Sequence, residues 1–312
     1  MDLSGRLVVV TGASSGLGRA IAQRLVEREQ ADVIIAARRH DRLEELAAQL
    51  HDVDGRAPAG GGSRRRVWTC EVDLAATGGP ERLMDAVRAI EQERGDRVFG
   101  LVNNAGVTHY GPVAHMPSEA LHRILDLNVT ATIDLTHRFL RHVLGEDGPV
   151  GSYGGSRPGG PGRHGARATG TPGAAILTVT SVAAHVPVAY QAVYAASKHA
   201  LQGFSESLSY ELGRLRRTGG PRIVVTAVSP GGIATEMIER SGLDDRFAGL
   251  SGGEEARSSF LAPASRVAAH AVRAWRRERR SVPGLGNALT VLAGSLLPRC
   301  FVGRAAERLY RP

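Results

Sequence analysis

The segment YAASK, residues 194–198, holds the one lysine of a chain that has 39 lysine and arginine residues. Helical spacing puts residues i and i+4 on one face, so a helix here points Tyr194 and Lys198 the same way. A tyrosine phenol titrates near 10 and is a poor proton donor or acceptor at neutral pH. Lowering it by about 3 units takes roughly 4 kcal/mol of preference for the phenolate. One cation about 4 Å away supplies about that much at an effective dielectric of about 20. Lysine fits this task better than arginine, because its ammonium is a compact point charge on a thin stem and a guanidinium is a planar fork. The pair reads as a proton-transfer device. A surface lysine beside a core tyrosine is the competing account, and it leaves the position of the sole lysine unexplained.

A second stretch, TGASSGLG at residues 11–18, spaces Gly12, Gly16 and Gly18 around Ser14, Ser15 and Leu17. It follows the apolar run RLVVV and precedes a helical pattern. A strand-to-helix turn of this kind needs glycine to turn tightly and to let backbone approach a phosphate, and the helix N-terminus adds unpaired N–H groups. The spacing is not the G-x-G-x-x-G of the common dinucleotide fingerprint.

Strand and helix patterns alternate around these stretches along the chain. RLVVVTG, ADVIIAARR, VWTCEVDL, RVFGLVNNAG, AAILTVTS and RIVVTAVSP read as buried strands. DRLEELAAQL reads as a helix with Asp41 as N-cap, ERLMDAVRAI as another, and residues 118–144, 191–217 and 264–278 as three more. Such alternation predicts a doubly wound parallel sheet with helices on both faces. Two segments interrupt it: the Gly-rich loop 54–66, and residues 145–174, whose Gly, Pro and Arg content predicts a mobile insertion. The expected organisation is a catalytic unit over 1–285 and an extension over 286–312.

Composition narrows the function further. Two cysteines, Cys70 and Cys300, imply no disulfide framework, and the eleven histidines show no ligand spacing, so no metal is expected. His109 and His185 are candidates for the pocket wall, with a satisfied or exposed histidine favoured for each. No leader-like start and no apolar run of about 18 residues is present, which points to the cytoplasm. The net charge of +8 is scattered over loops and the C-terminal region, so it reads as a solvated basic surface, not a nucleic-acid footprint.

The ordered motifs resemble the short-chain dehydrogenase/reductase family. TGxxxGxG is followed by NNAG at 103–106, by Asn128 in LNV, Ser181 in TSVAA, Tyr194 and Lys198 in YAASK, and PGGIAT at 230–235. The resemblance implies a Rossmann-like sheet and a catalytic set of Asn128, Ser181, Tyr194 and Lys198. Ser181 would hydrogen-bond a substrate carbonyl, and Asn128 would hold a water that passes protons to Lys198. Thr180, beside Ser181, should face the other way by strand alternation. The implied cofactor contacts are the glycine loop, Asp73 and Leu74 at the adenine, and Asn104 with Ala105 and Gly106 after the fourth strand. Pro230, Gly231, Ile233 and Thr235 would lie at the nicotinamide end. At the tip of the second strand Ala37 stands where NAD-type members carry an acid, followed by Arg38 and Arg39. Two guanidiniums without an acid favour NADP(H) over NAD(H).

The implied activity is hydride transfer between NADP(H) and a carbonyl or secondary alcohol. A non-catalytic NADP(H)-binding sensor is the alternative, disfavoured because a binder has no need of the tuned Tyr194. The family's habit of pairing its long helices implies a homodimer or homotetramer. In the extension, Leu289, Leu292, Leu296 and Leu297 form an apolar stripe, Pro298 breaks it, and Arg299, Arg304, Arg308 and Arg311 follow. This segment can pack on the domain or a second subunit, the favoured reading, or lie on an anionic membrane, where a lipophilic carbonyl would be the fitting substrate.

Overall fold

The chain is described by a computed structural model over residues 1–53, 65–146, 173–241 and 261–310. Each apolar run forms a strand: β1 (Leu7–Thr11), β2 (Asp32–Ala37), β3 (Val67–Glu71), β4 (Val98–Asn103), β5 (Ala174–Val179) and β6 (Ile223–Val228). They make one parallel sheet in the order β3-β2-β1-β4-β5-β6. β1, β4 and β5 are buried along their whole length, as strands covered on both faces must be.

Alternation along each strand feeds two cores. Val8 and Val10 of β1 pack against α1 (Gly16–Glu27) and Ala264–Arg276, which is helix α8. Leu7 and Val9 pack on the opposite side with α3 (Gly79–Arg94), α5 (Thr132–Leu144) and α6 (Ala192–Arg217). Between them in the chain come α2 (His40–Val53), α4 (Ser118–Ile124) and the short α7 (Glu236–Ser241). The extension forms α9 (Leu285–Leu296) and α10 (Arg299–Tyr310), with Pro298 at the break. The strand order reverses beside β1: β2 lies on one side and β4 on the other, which opens a crevice at their carboxyl ends where ligands of such sheets bind.

Two expectations change. Helix α2 starts at His40, so Asp41 lies inside the first turn, where its charge suits the helix dipole, and is not the N-cap. The helix expected over 118–144 is interrupted by a π-helical turn at Leu125–Ala131, a feature frequent at functional sites. Most of the 54–66 loop and most of the 145–174 insertion lie outside the described residues.

Candidate active site

The glycine loop is built as a close-packed cradle at the β1–β4 crevice. Gly12 and Gly16 have φ of +68° and +56°, backbone that glycine adopts without strain. A Cβ on Gly18 would stand 2.4 Å from both the Gly12 carbonyl oxygen and Asn104 Nδ2. Thr11 Oγ1 donates to the Val102 carbonyl at 3.0 Å and accepts the N–H groups of Asn104 and Ala105 at 3.0 and 3.1 Å. Asn104 Nδ2 in turn donates to the Thr11 carbonyl at 3.0 Å. Gly18→Val would therefore wedge apart a loop with no slack. It is expected to cost about 1–3 kcal/mol of stability and to abolish dinucleotide binding, both read by thermal melting with and without cofactor.

Tyr194 and Lys198 share a face of α6, with Lys198 Nζ 5.7 Å from the tyrosine ring centroid. Lys198 is only 4% exposed, and Nζ donates to the Val179 carbonyl at 3.0 Å. Burial draws its ammonium down to about 8. A Cβ on Gly106 would stand 3.1 Å from Asn128 Oδ1 and 3.7 Å from Lys198 Nζ, so these three residues converge. Asn128 is fully buried. Its Oδ1 accepts the Val107 N–H at 2.8 Å, and Nδ2 donates to the Val107 carbonyl at 2.9 Å and Ser197 Oγ at 3.0 Å. The side-chain amide thus ties the loop after β4 to α6.

Ser181 caps a 3₁₀ turn after β5, its Oγ accepting the Ala183 N–H at 3.1 Å. Ser181, Tyr194 and Lys198 line one cavity of about 320 Å³ together with the glycine loop and the Pro230–Thr235 segment. Thr180 also borders this region of the cavity, but its hydroxyl is turned to other partners, with Oγ1 3.0 Å from Gln202 Oε1 and 2.8 Å from Ser229 Oγ. Gly18 and Asn128 stand behind the cavity wall, and neither His109 nor His185 lines it. His185 instead meets Ser229 Oγ at 3.0 Å, and burial lowers its pKa.

The far end of the cavity is basic. Arg39 donates to Ser14 Oγ at 2.9 Å, Ser15 Oγ at 2.7 Å and Glu236 Oε2 at 2.9 Å. Arg42 also donates to Glu236. Arg38 is more than half exposed, with NH1 3.9 Å from Asp73 Oδ2. Arg123 pairs with both oxygens of Asp73 at 3.0 Å. Burial would raise the Asp73 carboxyl, but Arg123, the Ala75 N–H and Arg38 together outweigh it and hold the group below its ordinary value.

Residues 6–152 and 166–245 match the family model described as short chain dehydrogenase. The chain belongs to the short-chain dehydrogenase family. It is 30% identical over 250 residues to the 3-oxoacyl-acyl-carrier-protein reductase FabG of Escherichia coli, covering 80% of this chain and 82% of that protein. A solved short-chain dehydrogenase from Sphingobium yanoikuyae, in complex with NADPH, is 25% identical with a TM-score of 0.66 and 93% of each chain covered. A short-chain dehydrogenase/reductase from Burkholderia phymatum, in complex with NAD, shares the fold at 21% identity and TM-score 0.69, with 94% of this chain and 93% of that one covered.

Three residues of this short-chain dehydrogenase site escaped the sequence reading. Arg42 follows Arg39 by three positions, a spacing that could have flagged a shared face. Glu236 directly follows the Thr235 that the motif supplies. Arg123 carries no local signal, since its partner Asp73 lies fifty residues away.

Proposed function

We propose that this short-chain dehydrogenase transfers hydride between NADP(H) and a carbonyl or secondary alcohol, with Tyr194 as the general acid and base. The observation that carries the reading is the buried Lys198 held beside Tyr194 in the cavity that Ser181 lines. The cradle fits a dinucleotide, because Gly12, Ser14, Ser15, Gly16 and Leu17 line the cavity where α1 begins at Gly16, and the first N–H groups of a helix have no partner within it. A bound nicotinamide would give or take the hydride. Ser181 Oγ orients the substrate oxygen, Tyr194 passes the proton to or from it, and the Lys198 charge favours the phenolate. Asn128, whose side-chain amide is held by Val107 and Ser197, would hold the water that passes protons to Lys198.

The preference for NADP(H) is supported by Arg38, Arg39, Ser14 and Ser15 gathered at one end of the cavity, with Ala37 where an acid would select NAD. Asp73 and Leu74 would flank the adenine, and Ile233 with Thr235 the carboxamide. We place the enzyme in the cytoplasm as a homodimer or homotetramer paired through its long helices, with a catalytic unit at 1–285 and an extension at 286–312. Among the described residues no helix is long and apolar enough to cross a membrane.

Assay of the purified chain on a panel of aldehydes, ketones and secondary alcohols with each cofactor tests this reading. Turnover that prefers NADP(H) is expected; binding of neither cofactor overturns the reading. A pH profile tests the lysine. Lys198 carries its charge below about 8 and loses it above, so kcat/KM for carbonyl reduction should fall as pH rises through that value. A flat profile across that range would detach Lys198 from the chemistry.

A further inference from the structure

The two sides of α9 meet different surroundings. Asn287 and Gly294 turn inward: a Cβ on Gly231 would stand 2.3 Å from Asn287 Oδ1, and one on Gly294 would stand 2.4 Å from Val186 Cγ1. The helix therefore sits on the Pro230–Gly231 loop and on the segment that follows Ser181. On α10, Val302 packs against the small apolar cluster of Val186 and Val188 that the Tyr194 ring also joins. Leu285, Leu289, Leu292 and Leu296 recur at i, i+4, i+7 and i+11, one stripe on the opposite side of α9. They are exposed by 80%, 56%, 53% and 73%, and Leu297 and Phe301 extend the stripe at 52% and 60%. Phe301, Arg304 and Arg308 share the outward face of α10, and these arginines and Arg299 are exposed. No acidic residue lies between Glu278 and Glu307.

We propose that α9 and α10 form an interfacial helix pair that lies on an anionic lipid surface and brings a lipid-dissolved carbonyl or alcohol to the Tyr194 cleft. The stripe enters the acyl boundary while Arg299, Arg304 and Arg308 meet headgroup phosphates. A second copy of the chain is the weaker occupant. Two-fold pairing of this face sets Arg299, Arg304 and Arg308 against their own equivalents with Glu307 as the one carboxylate of α10 to offset three guanidiniums, whereas anionic lipid complements both the leucines and the net positive charge. The delivery of substrate rests on the reductase reading above; the lipid contact does not.

The test is co-flotation of the full chain with phosphatidylcholine vesicles, with and without phosphatidylglycerol. The wild type should float with the anionic vesicles alone, and less as salt rises. Leu289→Asp/Leu292→Asp and Arg304→Glu/Arg308→Glu should each cut flotation more than tenfold while NADPH binding and melting temperature hold. Absent flotation, or flotation that neither variant changes, overturns the proposal. A dimer that the leucine variant converts to monomer, without flotation, assigns the face to a second copy instead. For delivery, the leucine variant should lose activity on a long-chain carbonyl held in vesicles and keep activity on a short water-soluble one. Equal loss or equal retention on both overturns delivery. Flotation with no reduction of any carbonyl refutes the reductase reading and leaves the lipid contact standing.

Discussion

Tyr194→Phe is expected to lower the turnover of carbonyl substrates by about 10²–10⁴-fold, the usual contribution of a positioned general acid, while leaving cofactor affinity nearly unchanged. The substitution removes one oxygen and keeps the ring that packs on the cluster of Val186 and Val188, so any change in melting temperature should be small beside the loss of turnover. On the proposed mechanism Ser181 would still orient the substrate oxygen, and the glycine cradle would still bind the dinucleotide. Stopped-flow measurement of hydride transfer beside a fluorescence titration separates the two effects. A variant that transfers hydride at the wild-type rate would remove Tyr194 from the reaction.

Arg38→Ala/Arg39→Ala is the second large effect. A charge-assisted contact to a phosphate is worth about 1.5–3 kcal/mol, and solvent screening at the exposed Arg38 trims its share. NADPH affinity should fall on the order of 10–100-fold, with NADH affinity little changed. Glu236 meets the same Arg39 from the other side. Arg39 and Arg42 hold its carboxyl below the ordinary range, against the opposing effect of its burial, and the pairing occupies a donor of Arg39 that a 2′-phosphate would need. Glu236→Gln should therefore tighten NADPH several-fold and leave NADH alone. Weaker NADPH binding in that variant would mean that Glu236 supports the phosphate site instead of competing for it.

Much of this architecture was legible in the residues. The strands announced themselves because a parallel sheet buried on both faces demands β-branched runs, and β1, β4 and β5 are buried throughout. Strand alternation predicted opposite facing for Ser181 and Thr180; both border the cavity past the end of β5, and what differs is that the Thr180 hydroxyl bonds to Gln202 and Ser229. What stayed hidden depends on partners distant in sequence. The π-helical turn around Asn128 has no local signature; its asparagine reaches Val107 and Ser197, 21 and 69 residues away. Glu236 meets Arg39 across 197 positions, so no window on either side could pair them. In the extension, spacing identified the leucine stripe but not which way it faces. That direction is set by Gly231 and Gly294, whose missing side chains let α9 sit down on its opposite side.

The measurement that tests the central claim most directly is the hydride-transfer rate of Lys198→Arg, run with NADPH titration and melting as controls. Arginine keeps the positive charge and changes only its shape, in a position that is 4% exposed and bonded to the Val179 carbonyl. If the compact ammonium beside Tyr194 is what makes the phenol a usable acid, transfer should fall toward the Tyr194→Phe level while the protein still folds and binds NADPH. Transfer at the wild-type rate would contradict the account, because the chain's single lysine would then have no chemical reason to be one.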